Sequence, residues 1–305
     1  MDFVTFLKII FVAIVEGITE WLPISSTGHM IILENFFNIS EDLGSAFWDL
    51  FLVIIQFGAI LAVVFNFFKE LWPFYKNKTK EEKKEVWRIW LNIFIACIPS
   101  IIVGLFLDDL MEKYFYNYLT VSITLIVYGI VFIILEYVFK KKNVQFKYTD
   151  VKSFSWKVAL IIGLAQVLAI IPGTSRSGIT IIAAMLIGCN RSSSMKFTFF
   201  LSIPVMIGAS LLKTVKFVIN GNSLDSNQAI YLLIGVVIAF LVSYLCIKVL
   251  TNFVKNHTFT GFGWYRITLG AVLLLLYMNQ YFLVGVSNLL TEYFDFFYNI
   301  KLLRL

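Results

Sequence analysis

Glu16 and Glu20 lie four residues apart in an otherwise apolar stretch, so a helix puts both carboxylates on one face. Two adjacent acids in a low-dielectric setting repel and are costly to ionise. A divalent cation removes that cost: two carboxylates plus substrate phosphates suit Mg²⁺, which keeps several of its waters. A proton relay is the other chemistry such a pair supports, and a satisfied pair of buried acids the structural alternative. Just downstream, Ser25, Ser26 and Thr27 follow Pro23 and precede a second apolar stretch. That pattern reads as a helix N-cap region, where free backbone N–H groups and the positive dipole end suit phosphate. His29 comes three residues after Ser26, so both can face one space, with His29 as acid, base or nucleophile and Ser26 as a nucleophile beside it.

A second constellation lies about 150 residues on. Arg176 is the only charge in the run Pro172-Gly173-Thr174-Ser175-Arg176-Ser177-Gly178, with Ser175, Ser177 and Thr180 around it. An arginine between apolar stretches needs an anion, and its planar fork matches phosphate oxygens. An ion pair with Glu16 or Glu20 is the structural alternative. The combined inventory fits anion binding and displacement at phosphorus. Redox and acyl chemistry lack their parts. Cys97, Cys189 and Cys246 are widely spaced, form no CxxC pair, do not cluster with His29 or His257, and read as small apolar residues.

The elements that must position these residues are membrane elements. The 305 residues are 59% hydrophobic and only 14% charged, with a mean hydropathy of +0.84. A soluble domain needs far more polar surface. Apolar runs near 46–68, 86–107, 118–139, 197–219, 229–250 and 264–284 are long enough to cross a bilayer. Four others, 3–15, 26–37, 156–171 and 178–189, are too short, and they form two pairs joined by the polar breaks. Each pair predicts a re-entrant hairpin, whose irregular backbone is tolerated only where protein buries it or it lines a wet cavity. No cleaved signal peptide is expected, since Lys8 interrupts the first stretch and Glu16 follows it.

The halves match. Pro23 set on Pro172 places Ser25-Ser26 on Thr174-Ser175, and Gly58-Ala59 falls on Gly208-Ala209. Each half is one re-entrant pair plus three spans. Three is odd, so the second half is upside down relative to the first, an inverted repeat with its site at the repeat interface. The fold expected is therefore an all-α polytopic membrane protein of six transmembrane helices and two re-entrant hairpins. It forms a single membrane domain, 1–284, with repeats of about 1–139 and 156–284, followed by an amphipathic tail at 285–305.

The net charge of +6 concentrates in loops 69–85 and 140–157. It sets orientation rather than nucleic-acid binding, placing those loops in the cytoplasm and both termini outside. Lys213 and Lys216 dissent, near the outer end of the fourth span. Gly58 and Ala62 suit either a homodimer face or intramolecular packing.

The run Glu16-Gly17-Ile18-Thr19-Glu20-Trp21-Leu22-Pro23-Ile24-Ser25-Ser26-Thr27-Gly28-His29 resembles the first signature of the undecaprenyl-diphosphate phosphatases of the bacitracin-resistance type. Pro172 to Thr180 is similar to their second signature, and Gln56 to Val63 to a further stretch. The likeness extends to about residue 284; the tail departs from it. It implies a multi-pass enzyme of the bacterial plasma membrane, open to the extracytoplasmic side. Such an enzyme removes the terminal phosphate of a polyprenyl diphosphate lipid, recycles the carrier for peptidoglycan synthesis and confers bacitracin resistance. The likeness also implies a divalent cation, Mg²⁺ or Ca²⁺, at Glu16 and Glu20. Catalytic roles fall to Glu20, Ser26, His29 and Arg176, with supporting substrate contacts from Ser25, Thr27, Ser175, Ser177 and Thr180. Ser26 is favoured over His29 as nucleophile, with His29 as its base. The inverted-repeat plan also suits a lipid-phosphate transporter, a reading that fold alone supplies.

Overall fold

The structure, a computed structural model, describes residues 2–279. Among these residues ten principal helices follow one another without a sheet: α1 (Phe3–Thr19), α2 (Ser26–Phe37), α3 (Ser45–Asn66), α4 (Lys80–Phe115), α5 (Tyr118–Lys141), α6 (Trp156–Gln166), α7 (Arg176–Leu186), α8 (Arg191–Ile219), α9 (Ser226–Asn256) and α10 (Thr260–Asn279). Six of them, α3, α4, α5, α8, α9 and α10, are long and apolar enough to cross a membrane. The outward face of α4 carries Trp87, Leu91, Phe94, Ile98, Leu105 and Phe106, all exposed. A surface that apolar belongs in lipid, and the chain is a multi-pass membrane protein.

Hydropathy locates the spans but misses their polar first turns. The expected span 86–107 sits inside α4, which starts at Lys80 because Thr79 and Glu82 form a reciprocal capping box. Asn190 likewise caps α8 and starts it ahead of the expected 197. The short stretch expected at 26–37 is the helix Ser26–Phe37. The tail 285–305 and the end of the last span lie outside the described residues.

The short helices pair as expected, α1 against α2 and α6 against α7, and the long helices enclose them. Helix α9 packs along α3 and α1, α6 lies on α4, and α8 touches α3 and α7. Small residues set the closest approaches. A Cβ on Gly58 would lie 2.2 Å from the Val236 carbonyl oxygen, and Ala62 is fully buried. Both residues therefore serve packing within the chain, which resolves the alternative of a dimer face for them. On α5 and α10, a Cβ on Gly129 would lie 2.7 Å from the Gly263 carbonyl oxygen. That contact presses α10 onto α5 beside the two breaks.

Candidate active site

Both breaks end on the same local structure. Ser25 caps α2 and Ser175 caps α7, each accepting the N–H of the glycine three residues on, Gly28 or Gly178. Their backbones match as well: φ is 71° at Ser25 and 68° at Ser175, a region side chains rarely adopt. Two such outliers cost of order 1–3 kcal/mol each and persist only where their surroundings hold them. The structural match is thus Ser25 with Ser175, 150 positions apart. It corrects the proline-on-proline register by one residue and sets Ser26 opposite Arg176. Register follows the cap, because the N-cap serine fixes where the helix begins; the proline only precedes it.

The tips meet through one chain of polar groups. Ser26 Oγ donates to Glu20 Oε2 at 2.8 Å. Arg176 donates to the other oxygen of Glu20 at 2.9 Å. The pair is nearly buried, with side chains 12% and 9% exposed, so removing either partner strands a charge and costs about 3–5 kcal/mol. Arg176 also donates to the Thr198 carbonyl at 3.3 Å. Thr180 is fully buried: its hydroxyl donates to the Arg176 carbonyl at 2.9 Å and lies 2.9 Å from that of Thr198. Ser177 hydrogen-bonds with Ser175 and donates to the Leu22 carbonyl across the hairpin interface. Ser25, Ser175, Ser177 and Thr180 are thereby engaged in holding backbone.

Glu16, Ser26 and Thr27 line a cavity of about 320 Å³ together with Asp49, Gln56 and Lys213. Glu16 is almost fully buried, Gln56 reaches its carboxylate, and its Oε1 has no partner among the described residues. Glu20, by contrast, has both oxygens engaged. Among the described residues no three His, Cys, Asp or Glu side chains cluster as ready ligands for a metal. What the cavity offers a cation is an orphaned carboxylate oxygen on Glu16 and further oxygen donors, which fits a hard ion such as Mg²⁺ or Ca²⁺ that completes its shell with water and phosphate. Lys213, a cation that dissented from the loop-charge pattern, lines this cavity.

His29 does not join Ser26. Its Nδ1 lies 2.8 Å from the Ser25 carbonyl and its Nε2 2.8 Å from the Tyr265 hydroxyl, and its ring stacks on Tyr265 at 5.6 Å. A carbonyl only accepts, so Nδ1 carries the proton and Nε2 of the neutral ring accepts from Tyr265. His29 instead lines a separate, mostly apolar cavity with Val15, Ile18, Leu22, Ile24 and Phe262. This corrects the shared space that spacing suggested. Three or four residues along a helix allow a common face, but a partner 236 positions away decides where the ring turns. Two contributors that sequence reasoning passed over as site residues are Asp49 and Gln56. Isolated polar residues within apolar spans are the signal that could have found them.

Residues 9–272 match the family described as bacitracin resistance protein BacA. The chain is 52% identical over 274 residues to an undecaprenyl-diphosphatase of Enterococcus faecalis, covering 90% of this chain and 98% of that protein. It is 52% identical over 268 residues to one of Streptococcus thermophilus, covering 88% and 92%. A third, from Streptococcus gordonii, is 47% identical over 275 residues, covering 90% and 96%.

Proposed function

The chain belongs to the BacA family of bacitracin-resistance proteins, and on that footing we propose that it hydrolyses undecaprenyl diphosphate to undecaprenyl phosphate and inorganic phosphate. The observation that carries the residue roles is the Ser26–Glu20–Arg176 chain across the two tips. Ser26 Oγ attacks the terminal phosphorus while its proton passes to Glu20 Oε2, already its acceptor. The anhydride P–O bond breaks and Glu20 passes that proton to the departing undecaprenyl phosphate; water then cleaves the phosphoserine, Glu20 taking a proton from the water and returning it to Ser26 Oγ as the P–O(Ser) bond breaks. Arg176 keeps donors beyond those given to Glu20 and Thr198, and these meet the developing charge on phosphoryl oxygens. Thr27, at the free N–H end of α2, adds a hydroxyl to the same cavity. His29 acts through Ser25, donating to the carbonyl of the strained cap that aims Ser26.

A divalent cation held through Glu16, with the Glu20 carboxylate beside it, would neutralise the diphosphate. The proposed site faces the extracytoplasmic side of the plasma membrane, a reading supported by Tyr116, which lines the cavity between α4 and α5 at the far end of α5 from the lysines of loop 140–157. The product returns as carrier lipid to peptidoglycan synthesis, and hydrolysis of the diphosphate underlies bacitracin resistance.

The test is phosphate release from a long-chain polyprenyl diphosphate by purified protein in detergent, with Mg²⁺ or Ca²⁺ and with chelator. Metal-dependent release that chelator abolishes is expected. Absence of release from folded protein under every metal would overturn the reading and leave lipid-phosphate transport, which needs two compartments, as the account.

A further inference from the structure

Arg266 has no place in the chemistry above, yet it is fully buried within α10. Arginine stays charged in proteins, and a guanidinium at membrane depth is among the costliest groups a chain can bury. Among the described residues no carboxylate pairs with it. Its acceptors are main-chain carbonyls: Nη1 donates to Pro23 at 3.2 Å, and Nη2 to Gly173 at 2.9 Å and to Thr174 at 3.1 Å. Pro23 and Gly173 stand 150 positions apart, the same separation as the two cap serines. One guanidinium therefore holds corresponding carbonyls of both breaks, a different amino group on each.

The surroundings aim it there. The Gly129–Gly263 approach brings α10 against α5, and the guanidinium sits 5.8 Å from the centre of the Tyr128 ring. The second break is pinned from α5 as well, by Thr124 Oγ1 donating to the Pro172 carbonyl at 2.9 Å. Both breaks leave helical geometry, so their carbonyls need partners that lipid cannot supply. An apolar side chain could fill this volume but could not join the tips.

We propose that Arg266 is a positioning residue for the reaction: by gripping the Pro23 and Gly173 carbonyls together it fixes the distance between Ser26–Glu20 on one tip and Arg176 on the other. The inference rests on the active-site reading given above. Arg266 is not among the residues lining either cavity, so its loss should bear less on substrate binding than on transition-state contacts, which need both tips in register.

The test is a double-mutant cycle on phosphate release by purified protein, using Arg266→Gln, Arg176→Lys and the double variant, each checked for a monodisperse, folded state. Arg266→Gln is expected to lower kcat by roughly 100-fold, the cost of about 1 Å of misplacement, with KM changed less than about threefold. In the Arg176→Lys background, where the fork is already lost, the further fall is less than about tenfold. Arg266→Lys, a compact charge in place of a fork, is run in the same cycle in case the glutamine variant does not fold, and is expected to lower kcat in the same non-additive way. Wild-type activity with parent-like kcat in both Arg266 variants overturns the proposal, as do losses that multiply fully with Arg176→Lys. Failure of both Arg266 variants to fold also overturns it, leaving a purely structural arginine. An inactive wild type sinks the phosphatase reading itself, a distinct outcome.

Discussion

The two hairpins share a backbone and divide the chemistry. Their helices start on matching serines, with φ of 71° and 68°, and their tips are held by one arginine. The side chains at corresponding positions differ in kind. Glu16 corresponds to Gln166, Glu20 to Ile170 and Ser26 to Arg176, each pair 150 positions apart. A tip with two acids has nothing of its own to neutralise them; the other tip brings the cation and no acid. The result is an ion pair that exists only when the tips meet, so the site is built by packing and not by either segment. Two similar caps thus supply two helix N-termini, and the ion pair comes from the difference in charge between the segments that carry them.

Breaking the division at its centre has the largest expected effect. Glu20→Gln removes the acceptor of the Ser26 proton and the partner of Arg176 while keeping shape, and phosphate release should fall by about 10²–10⁴-fold, in the range of a lost general base. Gln166→Glu puts an acid into the second hairpin where the first has one. Gln166 Nε2 donates to Ser100 at 2.9 Å in a buried setting, so the variant should lose about 1–3 kcal/mol of stability, read as a lower Tm, with kcat nearly preserved. The shared scaffold is sharpened by Ser25→Ala and Ser175→Ala. Each removes one cap and should cost about 1 kcal/mol in thermal or denaturant unfolding, yet only Ser25→Ala, beside the proposed nucleophile, should lower kcat appreciably. Smallest is Tyr265→Phe, which leaves the His29 Nδ1 bond intact and should change kcat by less than about tenfold, as expected for a residue outside the reacting atoms.

Much of this was legible in the sequence because membrane physics leaves few options. Length and hydropathy located the six long helices, and the polar breaks between short apolar runs marked both tips. The Arg176–Glu20 pair was foreseeable as one of two partners for a charge with no local anion. What sequence did not carry was direction over distance. His29 turns to Tyr265, and Arg266 reaches back 243 positions to Pro23; neither contact leaves a periodic trace. The one-residue register error has the same root, since matching prolines are conspicuous while the conformation of a cap serine is not. Thr180 enters as a substrate group through its likeness to the family signature, and sequence does not carry that its hydroxyl turns down its own helix to the Arg176 carbonyl, as threonines in helices do.

The central claim is that Ser26, activated by Glu20 and charged against by Arg176, takes the phosphoryl group. The direct measurement is to react protein with substrate labelled in the terminal phosphate, quench within one turnover, and identify the labelled residue by peptide mapping under both acidic and alkaline handling. Label on Ser26, surviving acid and absent from Glu20→Gln, is the predicted result. Label on His29, lost in acid and kept in alkali, would contradict the account and return the nucleophile to the ring that this structure turns toward Tyr265.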